Sequence, residues 1–276
     1  MKQVFTFLIA LCTAIGINAQ EQNIEVCYTM TSPNMRTGKL RDSTHRYVLI
    51  ANTRQSKFYS PRTEQIDSLN STPEGEAKYR EMAKAAVFGG KMDDVPRRDG
   101  SMYVVKSIES NNMKMYDTAG MEHYVVEEPL DDIEWTLAED SVKNVLGYDC
   151  IMATADYHGR KWAVWFTPEI PLQNGPWKLA GLPGLILEAD ADNGIYSFVA
   201  TGIQNSNRPI TPVYLADQYE KTGRIDFLKA KRSFLDNPLG QINAKYGDVM
   251  VKSDNDVRFA DASVVDLIET DYHDKK

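Results

Sequence analysis

Residues 150–189 read CIMATADYHGRKWAVWFTPEIPLQNGPWKLAGLPGLILEA, and the reading of this stretch decides the fold. Ile151 to Tyr157 and Arg160 to Thr167 alternate in character around the two-residue turn His158-Gly159, which is the pattern of an antiparallel hairpin with Asp156 opposite Lys161. In that register Ile151, Ala153, Ala155 and Tyr157 share a face with Trp162, Val164 and Phe166, and this face is expected to be core. The reverse face carries Met152, Thr154, Asp156, Lys161, Ala163 and Trp165, too polar to be buried throughout.

Working outward, a second hairpin is expected from Leu185 to Asp190 and Ile195 to Ile203, with Asn193-Gly194 suited to a type I′ turn. Strands are also expected at Ile24 to Met30, His45 to Ala51, Tyr103 to Ile108, Met113 to Tyr116, His123 to Val126 and Ile133 to Leu137. A helix is expected at Pro73 to Val87, capped from Ser71-Thr72 and stopped by Gly89-Gly90, with Tyr79, Met82, Ala83, Ala86 and Val87 as its apolar face. A second runs from Arg224 to Leu235 and ends before Pro238, and Ser60-Pro61 starts a shorter one. Strands predominate. The expectation is a mainly β (α+β) protein, a curved antiparallel sheet or half-barrel with a few flanking helices.

Between the hairpins, Pro168, Pro171, Pro176 and Pro183 lack N–H donors and Gly175, Gly181 and Gly184 permit unusual turns, so this loop cannot be laddered into sheet. A Pro183-Gly184 type II turn would give Gly184 a positive φ. The loop reads as a corner in which Leu182, Leu185 and Leu187 plug the core. It also reads as a contact surface, with Trp165, Trp177 and Arg160 bordering a groove for a ligand or partner.

The motif Gly181-Leu182-Pro183-Gly184-Leu185-Ile186, together with Gly147-Tyr148-Asp149-Cys150, His158-Gly159-Arg160, Thr167-Pro168-Glu169-Ile170-Pro171 and Gly175-Pro176, resembles the GLPGLI family of exported proteins from Bacteroidota. That family has no established biochemical activity, so the resemblance implies compartment and a β-rich fold more than a reaction. A curved sheet like that of periplasmic lipoprotein carriers is the shape expected by analogy.

Lys2, the apolar run Val4 to Ile17 and the exit Asn18-Ala19-Gln20 have the form of a secretory signal peptide cleaved after Ala19. Loss of Lys2 takes the net charge from −8 to −9. Such an acidic chain has no general attraction for nucleic acid or an anionic bilayer. The apolar run falls short of the roughly 20 residues of a membrane span, and no later segment qualifies. Residues 1–19 are read as signal, 20–247 as one β-rich domain, and 248–276 as an acidic, loosely held tail. The destination is periplasmic or secreted. There Cys27 and Cys150, the two mature cysteines, are expected to form a disulfide, the alternative being two separate buried thiols.

No cofactor or metal is expected. The four histidines are dispersed without HExxH spacing, and neither GxSxG nor CxxC occurs. Asp190 to Gly194 starts like a calcium loop, but its glycine comes one position early and Thr201 replaces the bidentate Glu. Met113-Lys114-Met115 offers thioethers that pack a core more readily than they bind copper. Carboxylates such as Glu169 and Glu188 could act as acids or bases in a cleft, and the alternative function is a hydrolase that uses carboxylates in an unrecognised site. Lys221, Arg224, Lys229, Lys231 and Arg232 read as a solvated helix face. The favoured function is a non-catalytic module for an unknown ligand or envelope partner.

Overall fold

The computed structural model describes residues 22–33, 43–91, 96–130, 133–246 and 266–273. The signal expected at residues 1–19 lies outside the described residues. In chain order come β1 (Asn23–Ser32), β2 (Ser43–Ala51), β3 (Gln55–Tyr59), α1 (Pro61–Asn70), α2 (Pro73–Phe88), β4 (Tyr103–Ser107), β5 (Asn112–Ala119), β6 (Glu122–Pro129) and β7 (Thr136–Val145). They are followed by β8 (Tyr148–Tyr157), β9 (Arg160–Thr167), β10 (Leu185–Ala191), β11 (Tyr196–Ser206), β12 (Glu220–Thr222), α3 (Arg224–Asp236) and α4 (Pro238–Tyr246).

The hairpin of β8 and β9 has the register its alternation demands, Asp156 opposite Lys161 and Ala155 opposite Trp162. His158 (φ 51°) and Gly159 (φ 81°) both take the left-handed conformation that a type I′ turn requires. Leu146 (φ 54°) and Gly147 (φ 91°) close the β7–β8 hairpin in the same way. The turn between β10 and β11 differs from expectation. Ala191 pairs with Tyr196, leaving a four-residue loop in which Asp192, Asn193 and Gly194 all have positive φ. Asp192 shapes it by accepting from the Lys161 N–H at 2.9 Å and from Arg160 at 2.6 Å.

Among the described residues the strands form one mainly β, open sheet of twelve, ordered β12-β6-β5-β4-β3-β2-β1-β11-β10-β9-β8-β7. All pairings are antiparallel except β12 with β6, which is parallel. The sheet is strongly curled. Laid flat, β6 and β9 would stand eight strand spacings apart, about 38 Å. Yet Trp177 stacks on Trp162 of β9 with ring centroids 5.3 Å apart, while the next residue, Lys178, reaches Glu128 of β6 at 3.1 Å. One apolar core fills this concave side, from Val126 on β6 through Tyr28, Leu49 and Phe58 to Ala153 on β8. A smaller cluster of Val48, Ile50, Tyr59, Tyr103 and Val213 lies on the other face.

The helices begin where capping chemistry places them. Ser60 and Thr72 accept backbone N–H groups ahead of Pro61 and Pro73. The apolar pattern of α2 does not become a buried face: Gly75 and Ala86 are its buried residues, and Phe88 is 88% exposed. Pro238, expected only to end a helix, also starts α4. The expected strand at Ile133 to Leu137 is displaced toward the C-terminus as β7, which carries a bulge between Ala138 and Val142. No helix among the described residues is long and apolar enough to cross a membrane.

Cys27 and Cys150 are both free thiols, which corrects the expected disulfide. Their strands are four spacings apart, about 19 Å along the sheet, whereas bridged Cα atoms lie within about 7 Å. They also point to opposite faces: Cys150 belongs to the concave core and Cys27 packs on the outer cluster. Of the expected tail, residues 248–265 and 274–276 lie outside the described residues, whereas Leu267, Glu269 and Tyr272 are buried, so the stretch they belong to is seated on the domain.

Candidate functional site

The proline- and glycine-rich loop between β9 and β10 lies inside the curl. Its backbone bonds are local: the N–H groups of Leu172, Asn174 and Gly184 each donate at 2.7 Å to the carbonyl two residues earlier, the γ-turn pattern. Gly184 is not at positive φ, which corrects the type II turn; Gly181 is, at φ 90°. Gly184 is required for a different reason. A Cβ there would lie 2.1 Å from the Thr167 carbonyl oxygen, where the loop presses against the end of β9. From this hinge Leu182, Leu185, Ile186 and Leu187 enter the core, and Gly181 and Pro183 stay exposed. On the far side Lys106 of β4, fully buried, donates to Asn174 Oδ1 (3.0 Å), the Gly175 carbonyl (3.3 Å) and the Leu179 carbonyl (2.8 Å). Burial pushes the Lys106 pKa down to about 7.

Where the loop stops short of the ends of β1, β2 and β5, a cavity of about 540 Å³ remains. Met30, Tyr47, Met102, Met115, Tyr196, Phe227 and Leu228 supply apolar walls, and Trp177 lies behind them. The backbone at Trp177 is left-handed (φ 53°), a strained state for a bulky residue, and it persists because stacking on Trp162 and full burial fix the ring. The polar groups of the wall are few. Asp117 is held by Ser101 and Lys231, and His45 meets Asp99 at 2.7 Å.

Leu267, Ile268 and Glu269 close one side of this cavity, and around Glu269 the charges converge. Its carboxylate, fully buried, lies 2.8 Å from Lys178 Nζ and 2.9 Å from Arg224 Nη1. Arg224 also binds Asp271 at 2.7 Å and Glu128 at 3.2 Å. Burial works to raise the Glu269 pKa, but Lys178, His158 and Arg224 together outweigh it and hold the group ionised below its ordinary range. Asp271 is lowered in the same way, with Arg224 opposing burial. Burial lowers His158, against the pull of Glu269 and Asp271. His158, Glu269 and Asp271 present ligand atoms within 4.8 Å of one another, a spacing compatible with a metal. Two cations already occupy the carboxylates, so the cluster is a charge clasp that a metal would have to break.

The three side chains expected to border one groove do not meet in one. Arg160, two residues before Trp162, shares its inward face and is 5% exposed; it donates to the Leu267 and Ile268 carbonyls and pins the tail. Trp177 is core and cavity backing. Trp165 alone is on the outer face, with Lys143 Nζ 4.7 Å from its ring centre and Glu188 paired to that lysine. It borders a polar groove with Asp156, Lys161, Asp190 and Asp192. Glu169 caps the Asp149 N–H from the surface and is remote in role from Glu188. The basic cluster is solvated only in part: Lys221 and Lys229 are exposed, whereas Arg224, Lys231 and Arg232 are partly buried and each paired with a carboxylate. Met113 and Met115 are buried in the core. Lys106, Lys178 and Glu269 escaped the sequence reading, although Lys106 shares the parity of Val104 on the inward face of β4.

Residues 158–188, from the β8–β9 turn through the buried loop to β10, match the family described as "Protein of unknown function (Porph_ging)". No curated protein matches the chain. Two solved structures of PNGF-II, in the P21 and C2 space groups, are similar at 14% identity and a TM-score of 0.49 over 76% of this chain. The chain spans about a third of the length of those structures, 33% and 32% respectively. The family match thus covers Trp177 of the cavity wall and His158 and Lys178 of the charge clasp.

Proposed function

We propose that this chain is an exported binding module, with residues 1–19 as its signal, that holds a small and largely apolar ligand in the concave cavity beside the buried loop. Its likeness to GLPGLI proteins supports a periplasmic or secreted location and an accessory role in the cell envelope. The observation that carries the reading is the cavity itself. At about 540 Å³ it falls in the size range of small-molecule sites, and its walls are apolar with a few convergent polar groups. A carboxylate-dependent hydrolase is less well supported there, because Asp117 is engaged by Lys231 and Glu269 by Lys178 and Arg224. Acid–base work needs a carboxyl able to exchange its proton with substrate.

The test is titration with N-phenyl-1-naphthylamine, an apolar fluorescent probe, against the wild type and Ser43→Trp. Ser43 lines the cavity from the start of β2, so an indole there obstructs part of it. Saturable binding that weakens at least about tenfold in the variant, with melting unchanged, is expected. Equal binding by both proteins, or none by the wild type, removes the cavity from consideration.

A further inference from the structure

The seat of the tail, rather than the cavity it adjoins, has the construction of a peptide-recognition site. Asp266–His273 has no regular secondary structure, yet it is gripped through its backbone. Arg160 donates to the Leu267 carbonyl and, at 3.0 Å, to that of Ile268, and the Thr270 N–H donates to the His158 carbonyl at 2.9 Å. Selectivity comes from side chains: Glu269 enters between Lys178 and Arg224, and Leu267 and Tyr272 are buried on either side of it. Backbone bonds for affinity with pockets for alternate side chains is how grooves hold extended peptides.

We propose that this seat binds the tail in trans as well as in cis, so that a second copy of the chain is its partner. The charge complementarity is specific to this peptide, whose Glu269 and Asp271 meet Arg224. The connection does not confine it to one molecule. A chain of the length of residues 247–265 spans at most about 60 Å, whereas α3 and α4 end to end, leading away from Arg224, measure only about 33 Å. An exchanged pair keeps every contact of the closed monomer, which is the condition for domain swapping. The cis tail competes at an effective concentration near the millimolar range, so exchange is concentration-dependent.

The experiment uses a fluorescent peptide of residues 265–273 and full-length proteins. The wild type, with its seat filled, takes up little. The double variant Glu269→Gln/Asp271→Asn loosens its own tail and is expected to bind the peptide at least about tenfold more tightly. Adding Arg160→Met should abolish the gain. Light scattering of the wild type toward about 1 mM should show dimers that excess peptide dissolves. If the double variant does not fold, Asp271→Asn alone takes its place, since Asp271 is partly exposed and leaves Glu269 intact. A folded variant that ignores the peptide, or a wild type that stays monomeric, overturns the proposal.

Discussion

The two faces of the β8–β9 hairpin start from similar residues and end in opposite environments. Arg160 and Lys161 are neighbours at the same turn; the first is 5% exposed, and the Lys161 side chain is 84% exposed. Trp162 and Trp165 are three residues apart; one is stacked in the core and the other lies half-buried under Lys143. The difference is what covers each face. Inside the curl a proline-rich loop lies across the strands, and its carbonyls, unable to join a ladder, need donors from elsewhere. Lys106 supplies them: its Nζ reaches Asn174 Oδ1 and the Gly175 and Leu179 carbonyls, and its burial together with that of the loop is one structural fact.

The sharpest way to break this contrast is to truncate the inner aromatic. Trp162→Ala removes the platform on which Trp177 stacks and should cost about 3–5 kcal/mol in urea unfolding. A loss under about 1 kcal/mol would mean that the loop does not depend on the hairpin's inner face.

Proton linkage probes the same interior. Burial places the Lys106 pKa at about 7 in the folded chain against 10.5 for the free side chain. Between those values the unfolded chain holds a proton that the folded chain has released, so stability rises with pH across the window. The slope approaches about 1 kcal/mol per pH unit in the middle of it. Lys106→Met, compared by denaturant titration at a series of pH values, should flatten that rise. A slope that survives the substitution assigns it to other groups.

A smaller effect separates crowding from backbone strain in the loop. Gly184→Ala forces a methyl against the Thr167 carbonyl and should cost about 1–3 kcal/mol, as overpacking does. The conformation itself would tolerate the methyl, because φ at Gly184 is not left-handed. An unchanged melting temperature would show that β9 and the loop have room to part.

These outcomes bear on what a sequence discloses. The hairpin register was readable because alternation of apolar and polar residues is a local, period-two signal, and so were the caps at Ser60 and Thr72. The same alternation already placed Arg160 with Trp162, but a guanidinium on a core face looks wrong until the Leu267 and Ile268 carbonyls are known to await it. Glu269 in the acidic tail and Arg224 at the start of α3 each looked solvated because 45 residues of sequence separate the two partners. The cysteines misled for a related reason: counting thiols ignores that strand order places Cys27 and Cys150 on different faces and different strands.

The gentlest test is on the outer face. Trp165→Ala gives up a cation–π contact worth about 0.5–1 kcal/mol at an exposed site, plus part of the area its ring shields. The fold should persist with a loss near 1 kcal/mol, several times less than at Trp162. Iodide quenching supplies an independent reading, since Trp165 should be accessible to the anion while Trp162 and Trp177 stay shielded. Lys143 sits over the ring and draws iodide toward it, and Glu188 beside that lysine repels it, so Lys143→Met should reduce quenching without burying the indole. If Trp165→Ala destabilises the chain as much as Trp162→Ala, the outer groove is as tightly packed as the inner core. The contrast between the faces would then lie in polarity alone.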